Sequence, residues 1–273
     1  MSRMSRIARR PADAAYLGIA LLGLLLAVAL FGPWLSHRDP FAIGDAALRP
    51  PNQVNWFGTD DLGRDVFAGV VQGTSVSLMV GFAAALLSVC IGVVMGGFAG
   101  ICEGAVDLFL MRLTEFAQAL PRFFLVITLV SLFGGRLTFI VAALGLTAWP
   151  STARLFRAQV MTIRHRDFVA ASRAAGAAEP SILRRHVLPT ALPVLAAHVS
   201  YQAGGAILAE AGLSFLGLGD PTVMSWGAQL GSAQHFVREA WWMSVFPGLA
   251  ITLTVLACNL VADRASIASP YRP

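Results

Sequence analysis

The 273-residue sequence contains no lysine, and charged residues of all kinds make up only 13% of it. A soluble domain carries charge on about a quarter of its positions, so a soluble enzyme, a nucleic-acid-binding domain and a disordered chain are all excluded. Cysteine is scarce. Cys90, Cys102 and Cys258 lie in or beside apolar stretches and form no CxxC, which excludes a disulfide framework and a zinc site. There is no GxxxxGK[ST] phosphate loop, no GxSxG and no HExxH. The chain therefore has no ATPase site of its own, and it lacks the usual hydrolase signatures. What it does have is apolar residues: 56% of the sequence, with a mean hydropathy of +0.69.

Charge-free windows divide the chain. A bilayer core of about 30 Å needs about 20 mostly apolar residues per helix. Ala14–Ser36, Val66–Cys102, Leu137–Ala153, His186–Ala209 and Ala240–Ala262 contain no Asp, Glu or Arg. Ala105–Phe133 is apolar but carries Asp107, Arg112, Glu115 and Arg122, mostly in its first half. The pattern predicts an all-α integral membrane protein with about six transmembrane helices, at 16–35, 76–100, 105–133, 137–160, 188–213 and 241–262. Arg3, Arg6, Arg9 and Arg10 resemble a signal-peptide n-region. The following apolar run is long, however, and no small-x-small site precedes Pro33 and Trp34, so an uncleaved first helix is expected.

Arginine placement orients these spans. With residues 1–15 inside, the cytoplasmic segments hold 15 of the 20 arginines and the external segments hold 5. Both termini, including the tail 263–273, then lie in the cytoplasm, and external segments cover 36–75 and the stretch after the fifth span. This bias accounts for the formal charge of +5 without a nucleic-acid partner. In the second span Ala84, Ser88, Gly92, Gly96 and Gly100 recur every four residues and form a ridge that lets another backbone approach closely. That ridge serves internal packing or a subunit interface. Pro121 removes a donor and should bend the third span.

The longest polar stretch inside the cell, 161–187, reads as a compact pair of short helices. Asp167–Ala175 is Ala-rich, Gly176 can close it in a left-handed conformation, and Pro180 can open a second helix over Ser181–Val187. Pro189 and Pro193 then start the fifth span. A basic loop that only sets topology is the plainer reading of the same residues.

Several motifs in order resemble a known family. FGTDDLGRDVF (Phe57–Phe67), LMRLTEFAQALP (Leu110–Pro121), RDFVAASRAAGA (Arg166–Ala177), RRHVLPTALP (Arg184–Pro193), ILAEAGLSFLGLG (Ile207–Gly219), SWG (Ser225–Gly227) and FPGLAI with NLVAD (Phe246–Asp263) are similar to permease subunits of bacterial ABC importers, in the dipeptide, oligopeptide and nickel class. The chain departs from that family in places. Ala170 stands where the family's EAA loop has its Glu, DPTVM precedes Ser225 where a Pro-rich stretch is usual, and RASIASPYRP replaces an acidic tail.

The resemblance implies a type I importer permease fold in a bacterial inner membrane and a heterodimer with a second permease. It also implies two separate ATPase subunits, an extracytoplasmic solute-binding protein and no cofactor. Di- or oligopeptides are the implied solute, with nickel or metal chelates, opines and glutathione as alternatives. Phe168, Ala171, Arg173 and Gly176 become the coupling contact with the ATPase.

Asp60, Asp61, Arg64, Trp226 and Gln229 fall in the external segments and are expected at the binding-protein contact. The Asp60–Asp61–Asp65 cluster invites a metal, but Arg64 inside it favours a salt-bridged turn or a helix cap. Glu210 and His198 are ionisable groups within the fifth span, hence candidates for the solute path. Glu210 can equally brace the external segment, and a lone His198 can simply bond a neighbouring helix. Glu115 and Arg112 are spaced to pair on one helical face. Two other classes compete. An intramembrane enzyme would need a convergent nucleophile and base, and a secondary carrier would tend to show internal repeats. Neither signal is found.

Overall fold

The computed structural model describes residues 4–36, 38–102 and 104–267. The first three residues, the start of the external segment at 37 and the tail residues 268–273 lie outside it. Among the described residues the regular structure is helical, apart from one isolated bridge between Thr59 and Asp65. In chain order the helices are α1 (Met4–Leu35), α2 (Val66–Ile101), α3 (Ala105–Ala119), α4 (Arg122–Phe133), α5 (Leu137–Arg164), α6 (Asp167–Ala174), α7 (Glu179–Ile182), α8 (Leu188–Phe215), α9 (Trp226–Ala233) and α10 (Trp242–Ile267).

Helices α2, α5, α8 and α10 are long and apolar enough to cross a membrane. The bent pair α3–α4 adds a fifth candidate span, and α1 carries a shorter apolar stretch, Tyr16–Gly32. Many large apolar side chains face outward, among them Leu30, Phe109, Phe116, Phe124, Leu132 and Tyr201. In water such a surface would be an aggregation liability. In a bilayer or against a partner helix it is the expected exterior.

Close backbone approach organises the interior. The small-residue ridge of α2 faces α5: a Cβ on Gly92 would collide with Thr152, one on Gly96 with the Ala153 carbonyl, and one on Gly100 would lie 2.6 Å from the Val160 Cβ. The ridge is therefore spent on packing within the chain. Gly81 admits Ile207 of α8, and Gly18 of α1 sits against Leu260 of α10. Val80, Ala84, Ile140, Leu144 and Leu213, joined by Val126 and Val130 of α4, form one apolar core.

Helix α1 begins at Met4, ahead of the expected 16, and α10 runs to Ile267, past the expected 262; two further differences have a clear local cause. Helix α2 begins at Val66, not near 76, because Asp65 caps it: the carboxylate accepts from Phe67 N at 2.8 Å and Ala68 N at 3.3 Å. The third span is broken and not merely bent. Leu120 takes an extended conformation ahead of Pro121, as residues before proline prefer, and α3 and α4 meet at 78°.

Candidate functional site

The C-terminal end of α5 and the N-terminal end of α8 carry a small helical hairpin. Helix α5 runs to Arg164, α6 follows after a short turn, and α7 opens with Pro180 in its first turn. A π turn over Leu183–Val187 joins α7 to α8 without a break. The expected separate helix over Ser181–Val187 is thus the root of the fifth span. Pro189 cannot donate and crowds the preceding turn. The wider π turn accommodates it, and Thr190 Oγ1 donates to the His186 carbonyl at 2.6 Å.

Four devices shape the hairpin. Gly176 adopts φ +85 and ends α6, and nothing lies within 4 Å of where its Cβ would sit. The strain of any side chain there would come from the backbone, not from a clash. Arg173 Nε donates to Glu179 Oε1 at 2.6 Å across the turn. Val169 is fully buried and plugs α6 into a cluster with Phe156, Val160, Ile163, Ile182 and Val187. Ser172 Oγ lies 3.2 Å from His186 Nε2, which ties α6 to the π turn. The outer face is left bare: Phe168 is 42% exposed, and Ala170, Ala171, Arg173 and Gly176 are exposed beside it. All four sequence-predicted coupling residues therefore share the protruding end of one hairpin.

Beneath it lies a pair that sequence reasoning missed. Arg157 of α5 donates from Nε and a terminal nitrogen to both oxygens of Asp107, at 2.6 and 2.5 Å. A bidentate pair of this kind fixes orientation as well as distance, and it locks the start of α3 to α5. Two lone charges of opposite sign at cytoplasmic helix ends were the available signal. Arg164 adds a 2.9 Å bond to the Gly100 carbonyl at the end of α2. The expected Arg112–Glu115 pair forms at 2.9 Å on the exposed side of α3.

The opposite end, with the segment 38–65 and α9, is built differently. Asp60 takes Arg64 Nε at 2.6 Å and the backbone N–H groups of Leu62 and Arg64. Asp65 caps α2 and pairs with Arg38 at 2.7 Å. These carboxylates make turns and caps, and no group of three or more metal-ligating side chains converges among the described residues. Asp61 has one buried oxygen without a partner.

Trp226 corrects an expectation. It was read as a surface contact, yet it is 0% exposed, and its indole N–H donates to the Val70 carbonyl at 2.9 Å. Gly73 of α2 makes room for its ring. Trp226 therefore pins α9 into the core and presents no surface to a partner. Gln229, on the same helix, lies against Gly69 and is only partly accessible. Helix α9 itself went unpredicted, although Ser225 is a good N-cap and accepts from Ala228 N at 3.2 Å. Of the two neighbouring tryptophans where α10 begins, Trp241 is exposed. Trp242 is buried and donates to the Thr59 carbonyl at 3.0 Å.

The two candidates for the solute path turn inward. Glu210 is 1% exposed, accepts from Ser214 Oγ at 2.7 Å and keeps one oxygen unpartnered. His198 Nε2 lies 3.1 Å from Thr152 Oγ1 of α5. One turn along α8, Gln202 donates to Ser88 of α2 and to Ser151 and the Ala148 carbonyl of α5. Both candidates belong to polar bonding inside the chain, and Gln202 is the interhelical tie that pattern reading passed over because an amide carries no charge.

Comparison with known proteins agrees with this architecture. The family described as binding-protein-dependent transport system inner membrane components matches residues 88–266. A Brucella suis protein named as a peptide permease is 38% identical over 258 residues, spanning 92% of this chain and 84% of the relative. An Escherichia coli K12 protein named as a D,D-dipeptide transport system permease is 34% identical over 246 residues, 89% of this chain and 82% of the relative. A solved inward-facing structure of the MetNI methionine ABC transporter superposes with a TM-score of 0.61 at 20% identity, covering 74% of this chain and 96% of that one, a likeness of fold. With its apolar spans and the helical hairpin between α5 and α8, the chain belongs to the family of inner-membrane components of binding-protein-dependent transport systems, as a multi-pass permease with the type I ABC importer fold.

Proposed function

We propose that this permease imports di- or oligopeptides as one half of a heterodimeric pathway. ATP is hydrolysed by two separate subunits that grip the α6–α7 hairpin, and an extracytoplasmic binding protein delivers the solute at the opposite end. The observation that carries the coupling role is the hairpin itself: a rigid, bare knob rooted directly in two membrane helices, α5 and α8. Force on its tip passes through the Val169 plug and the π turn into both. Phe168, Ala171, Arg173 and Gly176 form the contact. Ala170, in place of the family's Glu, removes one charge from it, and the Arg173–Glu179 pair holds the turn from the other side. The solute class rests on the peptide-transport names of the relatives. Both termini are cytoplasmic in this reading, following the arginine bias.

The test is a mild-detergent pull-down of the tagged chain from its host. Recovery of a second permease and one or two ATPases is the expected result. A solitary chain, in a preparation that retains other known complexes, would contradict the proposal.

A further inference from the structure

Arg122, which the arginine bias counts with the cytoplasmic segments, is placed by the fold at membrane depth, and among the described residues no opposite charge lies beside it. It is the first residue of α4, directly after the Leu120–Pro121 break, and it is half-buried. Its guanidinium has one hydrogen bond, 3.3 Å long, to the Leu144 carbonyl. That leaves most of its five N–H donors without a protein acceptor. No carboxylate lies within salt-bridge distance of it among the described residues. Glu115 and Asp107, the acids earlier on the same broken span, are already held by Arg112 and Arg157.

Its depth follows from α5. Leu137 marks the external end, where its N–H donates to Asp220 of the external loop at 2.9 Å. Leu144 is seven residues further in, about 10 Å at 1.5 Å per residue, within a hydrocarbon core about 30 Å thick. A cation at that depth does not face lipid. Intramembrane charges pair with one another or line a water-filled path, and non-helical backbone at membrane depth is tolerated only in protein or along such a path. Leu120 and Pro121 are such backbone, and Leu120, Phe123 and Phe124 around the break are exposed on this chain.

We propose that Arg122 lines the translocation path and contacts the solute's free carboxylate as it passes the α3–α4 break. The proposal rests on the peptide-import reading and deepens it: the recognised chemistry is the C-terminal carboxylate, common to all peptides whatever their side chains. A charge-assisted bond suits this task. It is strong enough to attract the anion and, with the Leu144 carbonyl as the resting partner, easily exchanged. Glu210 and His198, both committed within the chain, leave this role free.

The test reconstitutes the complete transporter with its co-encoded partners in ATP-loaded liposomes and measures uptake of trialanine and of trialanine amide. Wild type should take up the free acid in preference to the amide. Arg122→Gln should lower free-acid uptake roughly tenfold, the scale of one charged hydrogen bond, leave amide uptake unchanged and so abolish the preference. Arg122→Lys should retain most of it. Equal uptake of the free acid by Arg122→Gln and wild type would overturn the proposal. So would equal losses for acid and amide, which would make Arg122 a brace on Leu144. Loss of the second permease from the purified Gln variant, with retention in the Lys variant, would assign Arg122 to an ion pair between subunits instead. If wild type takes up neither peptide while its ATPases are active, the peptide reading itself fails and this proposal falls with it.

Discussion

The two ends of the molecule answer different demands. At one end, residues 38–65 and α9 are fastened down: Trp226 and Trp242 sink into the core and donate to the backbone of α2 and the cap, while Asp60 and Asp65 are consumed by turns, a helix cap and two arginines. At the other end, α6 and α7 are held by buried Val169 and Ile182, one salt bridge and one hydroxyl–imidazole contact, and their tip is bare. The contrast teaches that the density of charged and aromatic residues does not mark exposed surface. The motif at 57–67 is rich in charge and aromatics because it is bonded internally, whereas the plain, Ala-rich hairpin is the end left bare, as the proposed coupling role requires.

The contrast can be broken at either end. The largest effect is expected from Trp226→Ala, which removes a fully buried aromatic and its indole bond to the Val70 carbonyl. Such truncations cost about 3–5 kcal/mol, and the variant should show a sharply lower yield of folded protein and a lower midpoint in a thermal unfolding assay. Gly176→Ile should reverse that profile. Its cost is a backbone strain on the order of 1–3 kcal/mol confined to the hairpin, so membrane insertion stays intact while uptake driven by ATP falls severely. Normal uptake by that variant would count against the hairpin as a coupling element.

A smaller change is expected for Arg173→Ala. The pair with Glu179 is more than a third exposed, and pairs of that kind contribute about 0–1 kcal/mol. Stability should barely move, while coupling, read as ATPase activity per solute transported, should loosen. The smallest effect concerns pH. The Asp220 carboxyl is held below the ordinary carboxylate range by Thr222, then by the Leu137 N–H and the nearby Arg136. A depressed folded pKa contributes stability that is complete above about 4 and is lost as pH falls through the lower folded value. Asp220→Asn should therefore lower the neutral-pH midpoint slightly, remove the small acid-dependent step, and converge with wild type in acid, where the carboxyl is protonated.

Much of this architecture was legible in the sequence. Charge-free windows gave the membrane class and most spans, the period-four ridge gave the α2–α5 seam, and Gly176 with Pro180 gave the hairpin. The ends of the spans were less legible, since apolar lead-ins such as Val66–Ser75 do not distinguish helix from loop until Asp65 is seen as a cap. The severity of the break at Pro121 was hidden because proline predicts a disruption and not its angle. Trp226 was misplaced because interfacial aromatics and buried ones look alike in one dimension, and only the facing Gly73 and the Val70 carbonyl separate them. Pairs such as Asp107–Arg157 and ties such as Gln202–Ser88 join residues far apart in the chain, so a single sequence carries little sign of them.

The most direct measurement is site-specific cross-linking of the assembled transporter. A photo-reactive side chain is placed in turn at Ala171, on the hairpin tip, and at Val54, exposed on the external cap. The account predicts an adduct with the ATPase from Ala171 and none from Val54. If Ala171 gives no ATPase adduct in a complex that contains the ATPase, the central claim that this hairpin couples ATP hydrolysis to the membrane helices is contradicted.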